Sequence, residues 1–217
     1  VGSKLNIRGS GLVGSLGTDG QHLLSAGAGK TNVFETAAGG GNLIKLAAQT
    51  ISTDTAYFDF TSVFDSDHKY YKLYGDDIEM DAYTHWQVGF LVGGTLQTGT
   101  YYGKHVAIIG TDSSSSGQDD HQSATSGFRP IGSWSHATGQ NQNCSLEMTF
   151  YNPNNSGTYN RVHWQSNARQ SSGSNTAIYI YGQGYYGAGI AATGIRILCA
   201  ASDNIATGTW SLYGLKE

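Results

Sequence analysis

Few residues in this 217-residue chain are equipped for chemistry, and their spacing decides what they can do. Ala26-Gly-Ala-Gly-Lys-Thr31 ends like a phosphate-binding loop, but that loop needs a glycine five positions before Gly29, and Leu24 stands there. No buried strand precedes it and no helical pattern follows, so the segment reads as a Gly-rich arm rather than a nucleotide site. Asp119-Asp120-His121 offers carboxylates for a hard cation and an imidazole suited to zinc. Adjacent residues in a Ser-rich stretch rarely converge on one ion, and a solvated loop tip is the expectation. Asp76-Asp77 with Glu79 and Asp81 forms a second acidic cluster at the end of a strand; turn chemistry explains it, with a structural calcium ion as the one cofactor left open. Asp65-Ser-Asp67-His68 reads as a turn, because Asp and Ser bond their own backbone there.

Catalysis needs a nucleophile with its base, or two carboxylates in a cleft. His68, His85, His105, His121, His136 and His163 are scattered, and no Gly-x-Ser-x-Gly elbow is present. Acidic residues are sparse and sit in turns, which argues against a glycan-cleaving pair. The expectation is no catalytic residue, no bound cofactor and no metal.

Aromatic residues carry more information. Tyr70-Tyr71, Tyr101-Tyr102, Tyr185-Tyr186, Trp134 and Trp164 exceed what one core can hide. Consecutive residues of a strand point to opposite faces, so one tyrosine of each pair faces outward. Tyr101, Tyr102, Trp134, Tyr185 and Tyr186 are therefore the candidate ligand or interface residues. Exposed Tyr and Trp suit both glycan rings and subunit contacts, and their types do not choose between the two.

The elements that must position these residues are strands. Only 13% of residues are charged, the chain holds 31 glycines and 14 tyrosines, and prolines number 2. Polarity comes from hydroxyls and amides, as on extracellular binding proteins and virion exteriors. A net charge of −4 gives no reason to expect nucleic acid as a partner. No run of 18 apolar residues predicts a transmembrane helix, so membrane insertion is not expected. The N-terminal residues lack the basic and apolar regions of a signal peptide, and a start at Val1 implies that an initiator Met or a longer segment has been removed. Cys144 and Cys199 lie within apparent strands and read as buried small hydrophobes, with a disulfide the less favoured alternative.

Residues 1–48 are Gly/Ala-rich, with too few side chains to fold alone, and read as an N-terminal arm or anchor. Across their end, Asn42–Thr50 suits a short helix or a strand equally. Residues 49–217 read as a β-sandwich, with strands near Thr50–Phe60, Tyr70–Met80, Thr84–Val92, Thr100–Ile109, Cys144–Asn152, Arg161–Gln165, Ala177–Gly182, Ile195–Ala200 and Thr209–Leu215. Gly110–Asn143 is a long loop whose Ser-rich first third is expected to be a mobile tip, while Phe128, Ile131 and Trp134 pack down. Eight or nine strands without a helix predict an all-β, two-sheet antiparallel sandwich, a jelly roll being the favoured form.

The chain's ending, Thr209-Trp-Ser-Leu-Tyr-Gly-Leu-Lys216, resembles the closing strand of bacteriophage virion jelly-roll proteins of the tail-fibre, head-fibre and capsid-decoration type. The resemblance covers about the last 20 residues in sequence and the region from residue 50 only in rhythm. It implies that Trp210, Leu212, Tyr213 and Gly214 complete the sandwich. It also implies a non-enzymatic virion structural protein on the particle surface. That protein would be a homo-oligomer, a trimer above all, joined to other virion proteins through the arm, with host surface glycans as a further partner. A secreted carbohydrate-binding module or lectin fits the same composition from a different class, and an extracellular depolymerase is a third and weaker reading.

Overall fold

The structure, a computed structural model, describes residues 21–24, 33–36, 43–81, 85–110, 115–131, 144–170, 176–199 and 203–216. It divides into two units, Val1–Asn42 and Leu43–Glu217. In the first, β1 (Gln21–Leu24) and β2 (Val33–Thr36) form an antiparallel hairpin.

The second unit is a two-sheet antiparallel β-sandwich, and its described residues contain no helix. Its strands are β3 (Leu43–Ile51), β4 (Tyr57–Phe60), β5 (His68–Met80), β6 (Trp86–Val92), β7 (Thr95–Leu96), β8 (Tyr101–Gly110) and β9 (Ser115–Ala124). Then follow β10 (Cys144–Tyr151), β11 (Arg161–Gln170), β12 (Thr176–Tyr186), β13 (Gly194–Cys199) and β14 (Ile205–Lys216). The large sheet runs β3-β14-β5-β10-β11-β12-β8-β9, and the small one β4-β13-β6-β7.

Alternation builds both faces. In β8, Tyr101, Gly103, His105 and Ala107 are buried while Tyr102, Lys104, Val106 and Ile108 are exposed. The inward side chains of the two sheets meet in one aromatic core. Phe90 of the small sheet lies among Tyr101, Phe128, Phe150 and Tyr186, all with ring centroids within 6.2 Å. Trp86 meets Trp210 edge-on at 5.2 Å, and Phe58 meets it at 5.6 Å. Such pairs add to the area that they bury. Trp164 needs room, which Gly182 on the paired strand gives: a Cβ there would sit 2.3 Å from the indole.

Several boundaries differ from the sequence reading. The sheet starts at Leu43, because β3 pairs with β14 from Leu43 through Ile51, so the ambiguous Asn42–Thr50 stretch is a strand. The run expected as one strand over Thr50–Phe60 is two strands in different sheets, parted where Thr55 bridges to Ile205. The Ser-rich tip is not a loop: Ser115–Ala124 is an edge strand paired with β8 along its whole length. Phe128 and Ile131 do pack down, fully buried, whereas Trp134 and His136 lie outside the described residues. Trp164, counted among the surplus aromatics, is also fully buried. Cys144 and Cys199 are both reduced and buried, the Cys199 thiol pointing at Met80 Sδ, 3.2 Å away.

β14 lies between β3 and β5. Trp210 and Leu212 point into the core with no exposed surface, and Tyr213 points out, edge-on to Tyr74 at 5.7 Å. Gly214 leaves space for the His68 ring, which a Cβ would approach to 2.6 Å. The Leu-Tyr-Gly order thus fills core, outer face and a close contact in turn.

Candidate functional site

The outer face of the large sheet collects the tyrosines. Register places Leu215, Tyr70, Tyr151, Arg161, Tyr185 and Tyr102 side by side across six neighbouring strands, from β14 to β8. Tyr70 and Tyr151 touch edge-on at 5.8 Å, and Tyr102 stacks on Tyr185 at 5.0 Å with 27° between the rings. Tyr159, in the turn before β11, leans on Tyr185 at 5.6 Å. Exposure is 36% for Tyr102, 42% for Tyr185 and 58% for Tyr159, so these rings meet solvent with most of one side.

This band runs along an open groove of about 880 Å³, whose lining includes Tyr102, Lys104, Tyr151, Tyr159, Arg161 and Tyr185 and, among the described residues, no carboxylate. A second groove of about 510 Å³ continues it past Tyr151 and His163 towards Tyr70 and Leu215. Arg161 is exposed and forms no ion pair with a described residue. Glu147, which lines the second groove, is already engaged: it accepts from Lys72 Nζ and, at 3.1 Å, from Gln165 Nε2. Burial raises the Glu147 pKa less than the Lys72 hydrogen bond lowers it, leaving it below the ordinary carboxylate value.

Of the sequence candidates, Tyr102 and Tyr185 reach this face together. Tyr101 and Tyr186 are their inward neighbours and pack against each other in the core at 4.6 Å. Trp134 lies outside the described residues. Tyr151, Tyr159 and Arg161 went unnoticed in the sequence; the one available signal was their position at the two ends of the β10–β11 turn.

The acidic clusters behave differently. Asp65 Oδ1 accepts from the backbone N–H of Asp67 and His68, from His68 Nδ1 at 2.9 Å and from the Tyr71 hydroxyl. Burial pushes its carboxyl up, but these hydrogen bonds and the His68 charge win, and its pKa lies below the ordinary value. An Asp–His pair of this geometry orients a general base in many hydrolases. Here the far nitrogen, His68 Nε2, is buried against Gly214, out of reach of a substrate. Asp76 and Asp77 sit where β5 and β14 lose register, and the Asp81 carboxylate accepts from the backbone and side chain of Asn204. Among the described residues no three His, Cys, Asp or Glu side chains converge as metal ligands. The Asp119-Asp120-His121 backbone lies in β9, with its side chains outside the described residues.

The small sheet presents a different exterior. Arg196 clamps Asp59 through two hydrogen bonds of 2.7 and 2.8 Å and lies 4.0 Å over the Tyr57 ring, so its charge is already satisfied. The chain matches no protein-family model, no curated protein and no solved structure.

Proposed function

We propose that the protein is a non-enzymatic bacteriophage virion component (a fibre, spike or capsid decoration) that assembles as a homo-oligomer, a trimer, and binds host surface glycans with the outer face of its large sheet. The observation that carries the binding part is the tyrosine row from Tyr70 to Tyr102, solvent-facing on a rigid sheet. Rigid aromatic rings give contact area at small entropic cost.

The virion part rests on the Trp210–Lys216 ending and on strand order. β3-β14-β5-β10 facing β4-β13-β6-β7 has the order of two interlocked Greek keys, which supports a jelly roll. On this reading β11, β12, β8 and β9 extend one sheet of the roll, and they carry Arg161, Tyr185 and Tyr102. The Gly-rich arm would join subunits to each other or to the particle.

The test is absolute mass by light scattering on the purified chain, with and without a calcium chelator. A chelator-resistant trimer or larger ring is expected. A monomer would shift the assignment to a secreted carbohydrate-binding module, which the same aromatic groove favours.

A further inference from the structure

We infer that the tyrosine band takes a linear, carboxylate-bearing polysaccharide laid across the strands, with Arg161 as the residue that reads its charge. This rests on the glycan-binding half of the function proposed above.

Three observations lead here. First, the band is long: six strands make five steps of ~4.8 Å, or about 24 Å, room for several sugar units in a row. The two grooves run on from each other, sharing Tyr151 and His163, so an extended chain is not interrupted. Second, the band sets a row of rings beside a row of polar groups, as a sugar presents an apolar face and a hydroxyl edge. Tyr151 and Tyr185 flank Arg161 on its own row, while Thr149, His163 and Gln183 occupy the next. Third, the free charge is positive. Arg161 stands at the middle of the band without an ion pair to a described residue, and among the described residues no carboxylate lines the groove around it; Glu147, which lines the second groove, is already paired with Lys72.

A planar guanidinium offers two parallel donors that match a carboxylate. Flanking rings would lower the local dielectric once covered, which strengthens that pair. A second copy of this chain is the poorer occupant. A two-fold contact through this face would set Arg161 against its own copy or against neutral tyrosines, burying an unpaired charge. A neutral glycan would stack equally well but leave the same cation desolvated and unpaired.

The experiment is calorimetric titration of the full chain with hexamers of alginate, hyaluronan and polysialic acid, and with maltohexaose as the neutral control. Light-scattering mass is read on the same samples. Binding of at least one acidic hexamer is expected, weakened at least tenfold by Arg161→Gln and by Tyr185→Ala, with the melting temperature lowered by no more than about 4 °C because both side chains are exposed. Binding should also weaken with added salt. No binding by any acidic hexamer, equal binding of maltohexaose, or undiminished binding by Arg161→Gln would each overturn the inference. A trimer that binds no glycan sinks this inference and leaves the virion assignment standing. A monomer that binds acidic hexamers through Arg161 does the reverse.

Discussion

Tyr101 and Tyr102 are neighbours of one residue type on one strand, yet the first is sealed in the core and the second lies open on the sheet. The same split separates Tyr186 from Tyr185. Strand geometry alone makes the division, since successive side chains leave opposite faces. What differs is the company on each side. Inward, aromatic rings pack against rings from the small sheet, and Gly182 opposes Trp164 to make them fit. Outward, tyrosines stand beside Arg161, Gln183, Lys72 and Glu147 with solvent above. One face therefore holds the fold together, and the other can be changed with little effect on it.

The largest break in that division comes from β14, which serves both faces and holds β3 to β5. Deleting Thr209–Glu217 removes Trp210 and Leu212 from the core and leaves β5 with an open edge, the kind of edge that aggregates. Insoluble protein is expected from expression trials. A truncated chain that still melts cooperatively would show that the sandwich closes without this strand.

Next is a matched pair of truncations. Trp164→Ala empties a fully buried site and is expected to cost about 3–5 kcal/mol in denaturant unfolding. Tyr185→Ala, on the partner strand but outward, should cost less than about 1 kcal/mol. Similar losses for the two would mean that the outer face is covered in solution.

Much of this division is legible in the sequence. Ser145-Leu-Glu-Met-Thr-Phe150 alternates plainly, and its outward Glu147 and inward Met148 lie where period two puts them. Edges are the hard part. β9 reads Ser-Ser-Gly-Gln-Asp-Asp-His-Gln-Ser-Ala, with nothing apolar until its last residue, because an edge strand can be held by the β8 ladder alone. β3 hid in Gly/Ala-rich surroundings for a similar reason, since its Leu43 and Ile44 remain exposed. The site was legible only in halves. Tyr102 and Tyr185 announce themselves as doublets, but Arg161 acquires meaning only from register, which sets β11 between β10 and β12. Pairing across the sheet is non-local, and no window of sequence contains it.

The core also holds ionisable groups that must stay neutral, a liability the outer face lacks. Burial pushes the thiols of Cys144 and Cys199 up to about 12 from 9.0, and the Tyr71 hydroxyl to about 12 from 10.0. Tyr101 moves in the same direction. Above about pH 9 the unfolded chain ionises at these groups while the folded one does not, so stability falls as pH rises and the fall continues to about pH 12. For the deeply buried Cys144 thiol the effect approaches tenfold in the folding constant per pH unit. Denaturant midpoints from pH 7 to 11 should show a plateau and then a decline, and Cys144→Ala should lessen the slope. Alkylation of the native thiols at pH 8 should be slow. A flat profile would mean that these groups are more open to water than the packing indicates.

The smallest effect is on the outer face, at Lys72 and Glu147. The Lys72 pKa is raised, foremost by its hydrogen bond to Glu147, and the Glu147 pKa is lowered by the same bond. Glu147 therefore contributes stability at neutral pH that fades as pH falls below about 4.5 through its depressed value, while the contribution of Lys72 is lost only at strongly alkaline pH. With both side chains about one-third exposed, the pair is screened, and a double-mutant cycle of Lys72→Met and Glu147→Gln should give less than about 1 kcal/mol of coupling. That coupling should shrink further in high salt and be lost as pH falls through the depressed Glu147 pKa. Its size tests the openness of the face directly, because the same two charges sealed under a subunit would interact through a drier medium. Coupling well above that bound and indifferent to salt, from a chain that scatters as an oligomer, would place a subunit rather than a sugar on the tyrosine face.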